Sequence, residues 1–197
     1  MTFIRLLAAP VSALALAAAL ATPLAAQETA PAAVAPVTAP AALPAEASID
    51  DLFAAYDAAG LAMSPQGKTY RGVRDADYGK WNDPSDAAEA AEDALLDETL
   101  AAMRARFASA SLPPQQALSY RLFEQLAERR VSLRPYRDYG YVFDQMNGAQ
   151  SELPAFLINT HRIASKSEAE AYVARIAGMG RLIDALTAQS RERADKG

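Results

Sequence analysis

Tyr172, Ile176, Met179, Ile183 and Leu186 follow one another at spacings of 4, 3, 4 and 3 residues. Only an α-helix gathers such a series on one face, because its side chains repeat every 3.6 residues and not every two. Ser165-Lys166-Ser167-Glu168 precedes the series and has the form of a capping box, which starts a helix by satisfying its first free N–H groups. The pattern predicts one helix to about Ala194, roughly 45 Å long at 1.5 Å per residue. A stripe of that spacing is the seam of an antiparallel helical pair. Gly178 and Gly180 mark points of close packing or a bend.

The same logic reads the rest of the chain. Hydrophobic residues make up 51 %, many of them alanine, and alanine favours helix over strand. Ser48-Ile49-Asp50-Asp51 is a second capping box, followed by Leu52, Phe53, Tyr56 and Ala59 on one face, with Gly60 closing the run. Residues 61–82 read as irregular, with Tyr70, Tyr78 and Trp81 pinning the loop onto helices. Asp83-Pro84-Ser85-Asp86 predicts a helix capped by Asp83 and running to about Ala108. Ser111-Leu112-Pro113-Pro114 predicts another to about Arg130, striped by Leu118, Leu122 and Leu126. Residues 133–143 read as extended and 151–160 as a short helix. The fold class is all-α: an irregular helical array with long antiparallel helices.

Residues 1–26 have the order of a secretory signal peptide: Arg5, an apolar stretch over 6–20, then Leu24-Ala25-Ala26 before Gln27. The competing reading is a membrane anchor, since the apolar stretch approaches the ~20 residues that span a bilayer. Pro23 and the Ala-Ala-Gln ending favour cleavage after Ala26, hence a periplasmic or secreted chain with no stable membrane insertion. Residues 27–47 hold Pro31, Pro36, Pro40 and Pro44 and read as a tether. Residues 48–197 are the helical region. Net charge is −5, and removing 1–26 takes away only Arg5 and leaves −6. A nucleic-acid or anionic-membrane partner would need a basic face. The chain has no cysteine, which excludes disulfides, thiol nucleophiles and lipidation at cysteine.

Residues 141–163, YVFDQMNGAQSELPAFLINTHRI, interrupt the helical pattern. Asn147-Gly148 is a turn dipeptide whose residues tolerate positive φ. Two readings fit the polar DQMNG knot. It is a turn whose side chains cap neighbouring backbone, or it is a polar wall of a substrate cleft lined by Gln145, Asn147 and Tyr141. His161 is the single histidine, and a lone imidazole after a short helix is more often a hydrogen-bonding residue than a ligand. Glu89, Glu92, Asp93, Asp97 and Glu98 read as a solvated helix face or, less simply, as metal ligands. There is no G-x-S-x-G and no glycine-rich phosphate loop. No catalytic, cofactor or metal residue is assigned.

Leu118-Ser119-Tyr120-Arg121-Leu122-Phe123, Asp144-Gln145-Met146-Asn147-Gly148, Leu153-Pro154, His161 and Glu170-Ala171-Tyr172-Val173-Ala174-Arg175-Ile176, in this order, resemble the N-terminal third of the bacterial domain-of-unknown-function 885 family. The resemblance covers roughly residues 49–197. It implies an exported helical protein much longer than this chain, similar to gluzincin-type zinc metallopeptidases, with a peptide substrate and zinc in the full-length parent. Such enzymes carry H-E-x-x-H on a helix, two histidines for zinc and a glutamate base. His161-Arg162-Ile163 does not match it, so no zinc ligand is carried over and no cofactor is expected in this chain. The expectation is a truncated N-terminal portion of a larger metallopeptidase-like fold, catalytically incomplete alone. The alternative is a stand-alone periplasmic helical binding or scaffolding module without catalysis.

Overall fold

The computed structural model describes residues 39–108 and 110–196. The signal-peptide and cleavage-site readings, and the tether as far as residue 38, lie outside the described residues. Six α-helices follow in order: α1 (Ile49–Ala62), α2 (Pro65–Tyr70), α3 (Asp86–Phe107), α4 (Pro114–Leu133), α5 (Ala149–Asn159) and α6 (Lys166–Lys196). There is no strand among the described residues, so the fold is all-α as the sequence predicts.

The helix starts follow their caps. Ser48 Oγ accepts from Asp51 N at 3.2 Å while Asp51 Oδ2 accepts from Ser48 N at 2.8 Å, which is the predicted reciprocal capping box. α1 continues past Gly60 to Ala62, because glycine lowers helix propensity without blocking the conformation. α2 lies in a stretch that reads as irregular. Its signals are local: Ser64 Oγ accepts from Gly67 N at 3.1 Å and Pro65 stands at the first position. Six residues are too few to show a period. α2 ends in a Schellman motif: Gly72 N donates to Thr69 O at 3.0 Å and Val73 N to Lys68 O at 2.9 Å. Gly72 has φ +78°, the left-handed conformation that motif requires. For α3 the cap is Ser85, not Asp83; Asp83 Oδ1 instead accepts from Ser85 N at 2.9 Å, one turn earlier.

Residues 133–143 are not extended. α4 runs on to Leu133, and a 3-10 helix covers Arg134–Tyr139. The alternating aromatics suggested a strand, but a strand needs a ladder partner and none exists among the described residues. In a 3-10 helix positions three apart eclipse, so Arg134 and Arg137 both face α3. Arg134 pairs with Asp93 and Asp97, and Arg137 with Asp86 and Glu89. One turn back on α4, Arg130 reaches Glu92 and Asp93. The acidic first half of α3 is thus the counter-surface of the basic end of α4 and the turn that follows.

Ile49, Leu52, Leu96, Leu100, Met103 and Ala127 form the core between α1, α3 and α4. Phe123 closes one side, with its ring centroid 5.1 Å from Phe53 and 5.2 Å from Tyr56. Residues 39–47, read as the end of the tether, are held on this core: Pro40 is buried, Leu43 packs on it, and Arg106 Nη2 donates to the carbonyls of Pro44, Ala45 and Ala47 at 2.7, 3.2 and 2.9 Å. A second layer joins α5, α6 and the loop 71–85. α6 uses most of the predicted seam, since Tyr172, Met179, Ile183 and Leu186 are half-buried, but departs from it at one position. Ile176 is 52 % exposed, whereas Arg175 is fully buried. Beside Arg175 the inward face carries the small residues Ala171 and Gly178, and the loop approaches closely there. A Cβ on Gly79 would lie 3.2 Å from Ala171 Cα, and one on Gly178 would lie 3.3 Å from Trp81. Gly178 therefore serves close packing; around Gly180 the space is open.

Candidate functional site

Arg175 is the centre of the second layer. Its Nε donates to Lys80 O at 3.0 Å, Nη1 to His161 Nδ1 at 3.0 Å, and Nη2 to Thr69 Oγ1 at 2.8 Å. It forms no ion pair among the described residues. Three rings surround the cation instead, those of Phe156, Tyr78 and Trp81, at 4.8, 5.4 and 5.5 Å from Cζ. Burial pushes its pKa down to about 10, which still leaves it charged at neutral pH. Trp81 Nε1 donates to Arg175 O at 2.9 Å, so one α6 residue anchors the loop by both backbone and side chain.

His161 is the guanidinium's neighbour, and its tautomer follows from its partners. Glu168 O, 3.1 Å from Nε2, only accepts, so Nε2 carries the hydrogen. Arg175 only donates, so Nδ1 offers its lone pair. Both nitrogens of the neutral ring are therefore occupied. Tyr78 packs on one side at 4.3 Å and Tyr172 meets it edge-on at 5.1 Å. Burial foremost, with the charges of Arg175 and Arg74, lowers its pKa below the usual value. These residues do not fit a zinc site: the one imidazole is committed, and no group of three His, Asp or Glu converges among the described residues. Of the α3 carboxylates offered as ligands, Glu89, Glu92, Asp93 and Asp97 pair with arginines.

The DQMNG knot is a surface turn. Asp144 Oδ1 accepts from Met146 N at 2.6 Å and from Asn147 N at 2.5 Å, and these N–H groups hold its carboxyl below the usual range. Gln150 Nε2 donates back to Asp144 O. Neither Asn147 nor Gly148 takes positive φ; Gly148 sits at −73° and caps α5. Its lack of a side chain matters for space, since a Cβ would lie 2.8 Å from Asp144 O and closer still to Asp144 N. Tyr141 is 90 % exposed, and Gln145 and Asn147 are exposed beside it. The three stand at the N-terminal end of α5.

Two concavities lie elsewhere. One, of about 320 Å³, contains Asp57, Arg71, Glu92 and Arg130, all used in ion pairs with one another. The other, of about 260 Å³, opens between the C-terminal ends of α2 and α5 and is lined by Tyr70, Arg74, Tyr78, Asn159, Thr160 and Arg162, among others. The sequence carries no sign of this cleft, because its residues come from two separate segments, 69–78 and 159–162. It gave a faint sign of Arg175: an arginine set among Ala171, Ala174 and Gly178 at helical spacing lies on a small-residue face, where a charged side chain is out of place.

A broad apolar surface is left open. On α4, Leu118, Leu122 and Leu126 are 41, 51 and 66 % exposed, and Leu133, Tyr136 and Tyr139 are exposed beyond them. The predicted i, i+4 stripe thus exists but faces away from α1 and α3. On α6, Val173 and Ile176 are exposed as well.

No curated protein and no solved structure matches the chain. A family model does, over residues 65–197, more than half of the chain. The match begins at the first residue of α2 and so takes in Arg175 and its partners Thr69, Lys80 and His161. The chain therefore belongs to the family described as bacterial protein of unknown function, DUF885.

Proposed function

We propose that this chain forms the N-terminal helical section of an exported zinc metallopeptidase and supplies part of the peptide cleft but none of the metal ligands. The observation that carries this reading is the leucine stripe of α4. A monomeric soluble protein rarely leaves a contiguous apolar face of this kind in water, so the face has a covering surface. Further helices of the same polypeptide are the covering that the family resemblance implies. Gln145, Asn147 and Tyr141, exposed on the surface turn, would hold peptide backbone once that covering completes a cleft. The zinc ligands would come from sequence outside this chain, since its own histidine is committed to Arg175.

The test compares this chain with the product of any reading frame that continues past the codon for Gly197. Zinc content and peptide hydrolysis are measured on both. The longer product is expected to hold zinc and cleave peptide, and the 197-residue chain to do neither. A stop codon at that point, with the leucine face occupied by a different protein, would favour a periplasmic scaffolding module. Zinc-dependent turnover by the 197-residue chain would overturn the proposal.

A further inference from the structure

The cleft between α2 and α5 gathers several side-chain donors that lack partners. Arg74 is half engaged: Nη1 meets Glu168 Oε1 at 2.9 Å, and its other N–H groups are unused among the described residues. Arg162 forms no side-chain hydrogen bond or ion pair among the described residues, and neither does the amide of Asn159. No carboxylate lines the cleft. It therefore holds more cationic than anionic charge, and a guanidinium recognises a carboxylate through paired N–H groups.

The same wall also offers acceptors. α5 ends here, and the carbonyls of Asn159 and Thr160, two residues that line the cleft, accept no hydrogen bond among the described residues. Arg162 N, which would continue the helix, donates instead to Tyr78 Oη at 2.9 Å, and that hydroxyl donates to Arg162 O at 2.9 Å. This reciprocal pair fixes the backbone from which the Arg162 side chain springs. Open carbonyls at a helix C-terminus carry partial negative charge and attract N–H donors. Tyr70 supplies a third feature. Its ring stands edge-on to Phe156 at 5.2 Å and 77°, yet the residue is 68 % exposed. One edge is thus fixed while the rest of the ring is open to a ligand.

Cations, carbonyl acceptors and an aromatic platform in one cleft select a ligand with a carboxylate, an adjacent N–H donor and a side chain. Inorganic phosphate would satisfy only the arginines, and an amine alone would be repelled by them. We infer that this cleft binds the C-terminal residue of a peptide, its carboxylate on Arg162 and Arg74, its N–H on the α5 carbonyls and its side chain against Tyr70. At about 260 Å³ the cleft suits one residue of a chain end and not a whole folded ligand. The inference does not depend on the zinc reading, because binding is measured on this chain without turnover.

The experiment titrates the 197-residue chain with an N-acetylated tripeptide ending in free phenylalanine, and with the same tripeptide as its C-terminal amide. The free acid is expected to bind at least about tenfold more tightly, the discrimination a charge-assisted hydrogen bond provides. Arg162→Gln should weaken the free acid by at least about tenfold with an unchanged melting temperature, because the side chain is exposed and supports no other contact. Tyr70→Ala should weaken it too, leaving the acid-to-amide preference in place. Equal affinity for acid and amide, no binding of either, or an unaffected Arg162→Gln variant would overturn the inference. So would inorganic phosphate binding as tightly as the free acid. Free phenylalanine binding as tightly as the tripeptide would replace the peptide end with an amino acid and overturn it in that form.

Discussion

Acid should destabilise this protein through a single side chain. His161 is the only histidine, so between pH 5 and 6.5 hardly any other side chain titrates in the unfolded chain. The groups that face it are Arg175 and Tyr172 from α6, Tyr78 and Arg74 from the loop, and Glu168, whose backbone carbonyl and carboxylate both favour the proton but are outweighed by burial. A proton on Nδ1 would break its bond with Arg175 and set two cations side by side. The folded pKa is therefore depressed, chiefly by burial, below the 6.5 of an unfolded imidazole. The unfolded state then binds more protons at mildly acid pH. Stability is intact above about 6.5 and falls as pH drops toward the folded pKa, with a slope of at most about 1.4 kcal/mol per pH unit. At that limiting slope the loss between pH 6.5 and pH 5 is at most about 2 kcal/mol. Asp57, Asp77, Asp97 and Asp138, each held low by an arginine or lysine, lose their contribution only below about pH 5. Urea unfolding at half-unit steps from pH 7.5 to 5 measures the slope. His161→Gln keeps a donor and an acceptor without titrating, so its curve should be lower overall but flat in that window. A flat wild-type curve, or the same slope in His161→Gln, would refute the reasoning.

Three further outcomes are expected. Arg175→Lys should cost about 2–3 kcal/mol by urea unfolding, because one ammonium does not reach Lys80 O, His161 Nδ1 and Thr69 Oγ1 together and leaves buried acceptors unpaired. Two glycine-to-alanine changes should move the melting temperature in opposite directions. Gly60→Ala meets open space inside α1 and should stabilise by about 0.5–1 kcal/mol, whereas Gly148→Ala drives a methyl into the Asp144 backbone and should cost about 1–3 kcal/mol. Leu122→Gln combined with Leu126→Gln should sharply reduce binding of a hydrophobic dye while changing stability by less than about 1 kcal/mol, since both side chains face outward in this chain. A large destabilisation would show that the α4 face is already covered.

What could be read from the sequence was what depends on neighbours along the chain. Ser48 and Asp51, three residues apart, announce their own cap. Leu118, Leu122 and Leu126 announce a helix face. The direction of that face is a different matter, since periodicity says that a stripe is apolar and not which element covers it. The predicted α6 seam breaks at one position for the same reason: Ile176 continues the apolar series, but the inward position there belongs to Arg175, two of whose acceptors are supplied from about a hundred residues upstream. Gly148 was identified as special for a conformational reason when its reason is steric, and that distinction needs the position of Asp144. The 3-10 turn at Arg134 was hidden for lack of the α3 carboxylates that draw it in. The α2–α5 cleft was illegible altogether, because Tyr70, Arg74 and Arg162 become neighbours only when Tyr78 bridges their segments.

The geometry of Arg175 also bears on the order in which the chain comes together. The α1, α3 and α4 core is complete by Ala127 and closes shorter loops, whereas Arg175 bonds to Lys80 and Thr69 across 95 and 106 residues. Closing loops of that length costs entropy before any bond forms, so such contacts tend to arrive late. Synthesis adds to the delay, because the ribosome delivers Arg175 after every one of its acceptors. The docking of α6 is then a closing step over a preformed base. Substitutions at Arg175 or Trp81 should mainly quicken unfolding, while substitutions at Leu52 or Leu100 should mainly slow refolding.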